Sequence, residues 1–216
     1  MLTPAERRAA LLRVRADGLE LRHLPEELRR DREVVEAAVK SNGLALAHAA
    51  ESLCSDREVA LAAAVSNGLA LVSVAEELRG DRALVLAAVR SHGLALHHVS
   101  DELKRDYEVV HTAVRSHGLA LHHAAEELRA DRAIVLSAVR THGVALLYAD
   151  EALQQDREIL EAASQDGRGM VSLERNAQAS SQEYRPPKEL AAERTVRFST
   201  AKPAPRGRAR SVPAHT

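Results

Sequence analysis

Asp31, Asp56, Asp81, Asp106, Asp131 and Asp156 stand 25 residues apart, and Gly18, Gly43, Gly68, Gly93, Gly118 and Gly143 keep the same step without an insertion. Two leucine series, Leu28 to Leu153 and Leu21 to Leu146, follow it as well. Self-similarity at a fixed period of this size marks an array of small units, each too short to bury its own apolar face and each completed by its neighbours. The chain is thereby limited to architectures whose units stack in register.

One unit shows what is stacked. After Asp81, residues Leu84, Val85, Ala88 and Val89 fall at helical spacing. Asp81 sits where an N-cap carboxylate accepts the free amides of a first turn, and Gly93 sits where a helix ends on a left-handed residue. Leu96, Val99, Ser100 and Leu103 then occupy i, i+3, i+4 and i+7, which predicts a second, shorter helix. Ser100 and Asp150 could cap a separate final turn, dividing that helix in some units. With three Tyr, one Phe and no Trp in 216 residues, the core must interlock small aliphatic side chains, which favours helix on helix. The predicted fold class is all-α: an α-solenoid of tandem 25-residue two-helix repeats.

The period covers residues 1–165, about six units. In the first, Glu6 to Arg30, Glu6 replaces the Asp and Pro25 appears; in the last, Ser164 replaces the usual Val, so both ends read as caps. Residues 166–216 lack the period and hold five of the seven prolines. Residues 1–165 carry 20 basic and 26 acidic residues, a net of −6, whereas 166–216 carry 10 and 5, a net of +5. Such a Pro- and Arg-rich tail buries too little apolar surface to offset its chain entropy, so disorder is expected there.

Composition excludes further classes. A single Cys54 forms neither an internal disulfide nor a Cys-rich zinc site. No stretch approaches the roughly 20 apolar residues that span a bilayer, and Glu6, Arg7 and Arg8 interrupt any secretory segment. An intracellular, cytoplasmic protein is expected, with a nuclear place as the alternative suggested by the basic tail.

The unit Glu-Glu-Leu-Arg-x-Asp-Arg-x-Val-Val-Leu-x-Ala-Val-Arg-x-His/Asn-Gly-Leu-Ala-Leu, seen at Glu76 to Leu96 and Glu126 to Leu146, resembles the repeat of the uncharacterised DUF4116 family over about residues 6–165. The resemblance implies a helical repeat and no activity. The family usually carries an aromatic residue, often Tyr, where this chain has His48, His98 and His123; Tyr148 fits that pattern and Ser73 departs from it.

Eleven histidines raise the question of a metal. Ligands must converge in threes or fours, but His97 and His98 are adjacent on a helix and point about 100° apart. His92, His117 and His142 alternate with Asn42 and Asn67 before the Gly, a place that suits a cation at a helix C-terminus. No metal or cofactor site is expected. Nor is a catalytic one: no phosphate loop, no His-Glu-x-x-His and no Gly-x-Ser-x-Gly occurs. Cys54 replaces Arg29, Arg79, Lys104 and Arg129 of other units and is therefore expected near the surface. His98 and His123 share one repeat position and should meet across adjacent units.

The expected role is a non-enzymatic scaffold for a protein partner. Ala47, Val72, His97, His122 and Leu147 vary one residue after a constant Leu, and they are the candidate partner-binding positions. In the tail, Arg194-Thr-Val-Arg-Phe198 matches a docking pattern of type-1 protein phosphatase ligands, with Val196 and Phe198 spaced to fill adjacent pockets beside Arg194. Ser211 follows Arg208 and Arg210 as a candidate phosphosite. The alternatives are a phosphatase-docking regulator and a nucleic-acid accessory protein acting through the basic tail, the latter opposed by the array's acidic charge.

Overall fold

The computed structural model describes residues 3–164. Among them there is no strand; seven long helices, Pro4–Ala16, Arg32–Ser41, Arg57–Ser66, Arg82–Ser91, Tyr107–Ser116, Arg132–Thr141 and Arg157–Ser164, alternate with short segments. Each start after the first lies one residue past a periodic Asp. The Asp31 Oδ1 accepts from the amides of Glu33 and Val34 at 3.0 and 3.2 Å, and Asp81, Asp131 and Asp156 repeat that pair of bonds. Lacking such an Asp, the first helix is started by a capping box between Thr3 and Glu6, with Pro4 inside the first turn.

The glycines end nothing by a left-handed turn. Each long helix stops one residue earlier, at an extended residue such as Asn42 (φ −149°, ψ 111°), whose side chain accepts from the Leu44 amide at 3.0 Å and starts the next element. Glycine is required for another reason. A Cβ on Gly43 would lie 2.3 Å from the Ala63 carbonyl oxygen of the following helix, and one on Gly93 would lie 2.3 Å from that of Ala113. The partner position is always small: Ala38, Ala63, Ala88, Ala113, Ala138 and Ala163 are all buried. Close approach of backbone to backbone, rather than helix capping, explains the glycine series.

The predicted second α-helix is a 3₁₀ helix in every unit, for example Gly93–His98, followed by an extended break at Val99 (ψ 150°) and a separate short turn, Leu103–Arg105. Three residues per turn place i and i+3 on one edge. Gly93, Leu96 and Val99 are accordingly buried together, while His97, one residue on, is exposed.

The ends reveal how units face each other. In internal helices the pairs Val34/Ala38 and Val35/Val39 are all fully buried. In the first helix the equivalents of the former pair, Ala9 and Arg13, are exposed, while Ala10 and Val14 are buried. In the last helix Ile159 and Ala163 stay buried, while Leu160 is half-buried and Ser164 exposed. The 34/38 face therefore packs on the preceding unit and the 35/39 face on the following one. Backbone bonds tie the same joints: the amides of Ala50, Ala75, Ser100, Ala125 and Asp150 donate to the carbonyls of Arg29, Cys54, Arg79, Lys104 and Arg129. The next member of that amide series, counting back, is Pro25, which has no N–H to donate.

Cys54 is buried, 3% exposed, against the expectation of a surface position, and its Sγ lies 3.6 Å from the Leu46 carbonyl oxygen. Its register position points inward over the end of the 3₁₀ helix. Long polar side chains use it by folding back: Arg79 Nε and Nη2 donate to the carbonyls of Val74 and Val72 at 3.1 and 3.2 Å, and Gln154 Nε2 donates to that of Ala149. Polarity at this position reflects carbonyls to satisfy, not contact with bulk water.

A line of ion pairs completes the joints. An arginine at one repeat position reaches the capping Asp of the next unit at five joints: Arg7 to Asp31 at 2.6 Å, Arg57 to Asp81 at 2.5 Å, Arg82 to Asp106 at 2.9 Å, Arg132 to Asp156 at 3.1 Å and, more loosely, Arg32 to Asp56 at 3.4 Å. The carboxylate divides its work, Oδ1 taking the helix amides and Oδ2 the shorter bond from the guanidinium, whose Nη2 also reaches Oδ1 at 3.4 Å in the Arg57–Asp81 pair. Arg7, Arg32, Arg82 and Arg132 also contact Glu33, Glu58, Glu108 and Glu158. These pairs hold the carboxyls of Asp31, Asp81, Asp106 and Asp156 below their usual range.

Candidate partner-binding face

Successive 3₁₀ helices pack side by side, so residues at one register position form a row across the stack. Ala47 and Val72 are half-buried, and His97, His122 and Leu147 are exposed. Rings join this row to its neighbour. His97 lies 4.7 Å from His98 in its own unit and 4.6 Å from His123 in the next, with the two Nδ1 atoms of His97 and His123 3.4 Å apart. His122 lies 4.9 Å from His123 and 4.6 Å from Tyr148. Five rings thus run as one file, His98, His97, His123, His122, Tyr148, across three units, with Leu147 beside its end. The expected meeting of His98 and His123 is relayed through His97, because each variable-row ring leans one residue forward onto the next unit.

Burial sets the charge of the file. It pushes His98 and His123 down to about 4, helped by His97 and Lys104 beside both, by Arg79 beside His98 and by His122 beside His123. Burial also lowers His97. At neutral pH His98 and His123 are uncharged, and the file is a semi-apolar strip of mutually tilted rings whose nitrogens can donate or accept.

The histidines before the glycines behave differently from the expected helix-end cations. His117 and His142 stack at 4.1 Å, 16° from parallel, and His142 Nδ1 accepts the Gly118 amide at 3.2 Å. In other joints a serine takes that bond, Ser66 from Gly43, Ser91 from Gly68 and Ser116 from Gly93. His142 is therefore a joint residue. Among the described residues no three His, Cys, Asp or Glu side chains converge as a metal-binding group, and no helix is long and apolar enough to cross a membrane. Arg194, Val196, Phe198 and Ser211 lie outside the described residues.

The row at 47 to 147 was legible in the sequence; its second rail, His98, His123 and Tyr148, was not assigned to the same face because α-helical geometry turns adjacent residues apart. A second departure is Tyr107, which stands where the other units have Arg. It is 48% exposed and stacks on His111 at 5.6 Å.

Units without a core of their own, locked in register by the same joints, define a helical-repeat protein of the α-solenoid class. The profile described as "Domain of unknown function (DUF4116)" matches residues 9–54, 33–79, 56–104, 81–129, 106–154 and 131–168, and the chain belongs to this family. Each match spans about two of the 25-residue units and overlaps the next. No match to a curated protein or to a solved structure was found.

Proposed function

We propose that the array is an intracellular, non-enzymatic scaffold that binds a protein partner along the ring file and the row Ala47, Val72, His97, His122 and Leu147. The observation that carries this reading is the contrast between frame and strip. Buried Leu, Ala and Gly positions are constant from unit to unit, whereas the row beside them changes from Ala through Val and His to Leu while remaining accessible. Aromatic and amphipathic side chains that keep part of their surface in water supply contact area at low entropic cost. The test is affinity capture from source cells with the full chain and with a His97→Glu, His122→Glu, Leu147→Glu variant whose helicity by circular dichroism is unchanged. Proteins held by the wild type and released by the variant support the reading; an identical captured set contradicts it.

A second reading rests on the sequence Arg194-Thr-Val-Arg-Phe198. A peptide from Glu193 to Lys202 is expected to bind the type-1 phosphatase catalytic subunit with a Kd below about 100 micromolar, and Phe198→Ala to remove most of that affinity. A nucleic-acid role would instead show binding that fades steeply with salt.

A further inference from the structure

The line of arginines is broken once, and the break has the composition of a receptor. At the joint between Tyr107–Ser116 and Arg132–Thr141, the position that holds Arg7, Arg32, Arg57, Arg82 and Arg132 at other joints holds Tyr107. The carboxylate it would have met is still present. Asp131 Oδ1 accepts the amides of Ala133 and Ile134 at 2.9 and 3.0 Å, the same division of labour as at Asp81 and Asp156, yet among the described residues no basic side chain pairs with Asp131. The second carboxylate is absent as well: Ala133 stands where Glu33, Glu58, Glu108 and Glu158 stand elsewhere. Tyr107, 48% exposed, is held by its stacking on His111, whose Nε2 lies 3.4 Å from Ser137 Oγ.

From these observations we infer that the Asp131–Tyr107 joint is a binding slot for an arginine side chain presented by a protein partner. The other joints identify the occupant, because the equivalent carboxylate holds a guanidinium through Oδ2 in each of them. A planar guanidinium matches both halves of the slot, donating from its edge to the carboxylate and laying its plane on an aromatic face. Residues 1–165 carry a net of −6, which steers a basic segment towards the array. The slot does not depend on the ring file: it involves a different row of residues, and each could be used without the other.

The test is a titration of the isotopically labelled full chain with N-acetyl-arginine amide at low ionic strength, read at the Ala133 and Ile134 amides by NMR. An isolated arginine is one anchor of a larger contact, so saturation is expected on the order of 10 millimolar. The Glu158 and Ile159 amides, capped by an Asp156 already occupied by Arg132, should stay still. Asp131→Asn preserves the cap, since Asn and Asp cap helices equally well, and is expected to weaken binding at least fivefold. Tyr107→Arg introduces the residue that other units tolerate there and should abolish the response by filling the slot from within. Four outcomes would overturn the inference: no saturable shift up to about 100 millimolar, an equal shift at Glu158 and Ile159, an unchanged response in either variant, or equal binding of N-acetyl-lysine amide.

Discussion

At the scale of the residue, the ring file couples stability to pH. His98 and His123 titrate near 4 in the folded chain and near 6.5 unfolded. Their folded value is depressed, so folding favours the neutral form; the stability they contribute is fully present above about 6.5 and is lost as pH falls from there towards 4. Discounted for their partial exposure, the loss is about 1 kcal/mol per ring at pH 5. A His98→Gln, His123→Gln variant is expected to melt at nearly the same temperature at pH 7 and pH 5, while the wild type melts several degrees lower at pH 5. The capping aspartates act in a separate window. Their carboxyls are held below the usual value of 3.8, so their share is present above it and lost only below. A wild-type melt that is flat from pH 7 to 5 and falls only under pH 4 would assign acid sensitivity to those caps instead. Single residues were also where the sequence misled most. Cys54 and Arg79 share a position whose inward aim no residue type discloses, because a guanidinium and a thiol can each be satisfied by carbonyls at the end of the adjoining 3₁₀ helix.

At the scale of the element, the glycine series separates two explanations that a sequence leaves joined. A helix-ending glycine and a close-approach glycine look alike in one dimension; only the 2.3 Å from a Gly93 Cβ to the Ala113 oxygen tells them apart. Gly93→Ala is therefore expected to cost about 1 to 3 kcal/mol through overpacking against a backbone that cannot yield, seen as a lower urea midpoint. Gly80→Ala is the control. Its added Cβ would meet only Ser100 Oγ at 3.8 Å, and its midpoint should match or slightly exceed the wild type. The long helices were legible because Asp caps and apolar stripes are local signals. The 3₁₀ helices were not, since Leu96 and Val99 fit either period, and the choice is made by the depth at which Gly93 is pressed against the next unit.

At the scale of the whole molecule, stability is distributed along a line. Leu96 is fully buried, and Leu96→Asp forces a carboxyl into that interior at about 3 to 5 kcal/mol. Because units touch only their neighbours, hydrogen exchange should rise around residues 81–130 and much less at Ala10 and Val14. Uniform acceleration over all described residues would mean that the array melts as one block. The stacked architecture was predictable from the period alone. The ring strip was half visible in one dimension, since its residues could be seen but the forward lean that makes rings continuous across units is a property of three dimensions.

The joints share one pattern of bonds, and this makes length a countable variable. Removing residues 81–105 would bring Gly80 to Asp106, set Arg57 against Asp106 and Gly68 against Ala113, and offer the Lys104-type carbonyl of Arg79 to the Ala125 amide; each of these broken joint contacts finds a substitute of the same kind. A deletion one residue shorter or longer finds none. The chain can thus gain or lose whole units as a ruler gains or loses divisions, and the 25-residue deletion should fold with helicity reduced in proportion, while deletion of 81–104 should leave two uncoupled fragments with separate melts.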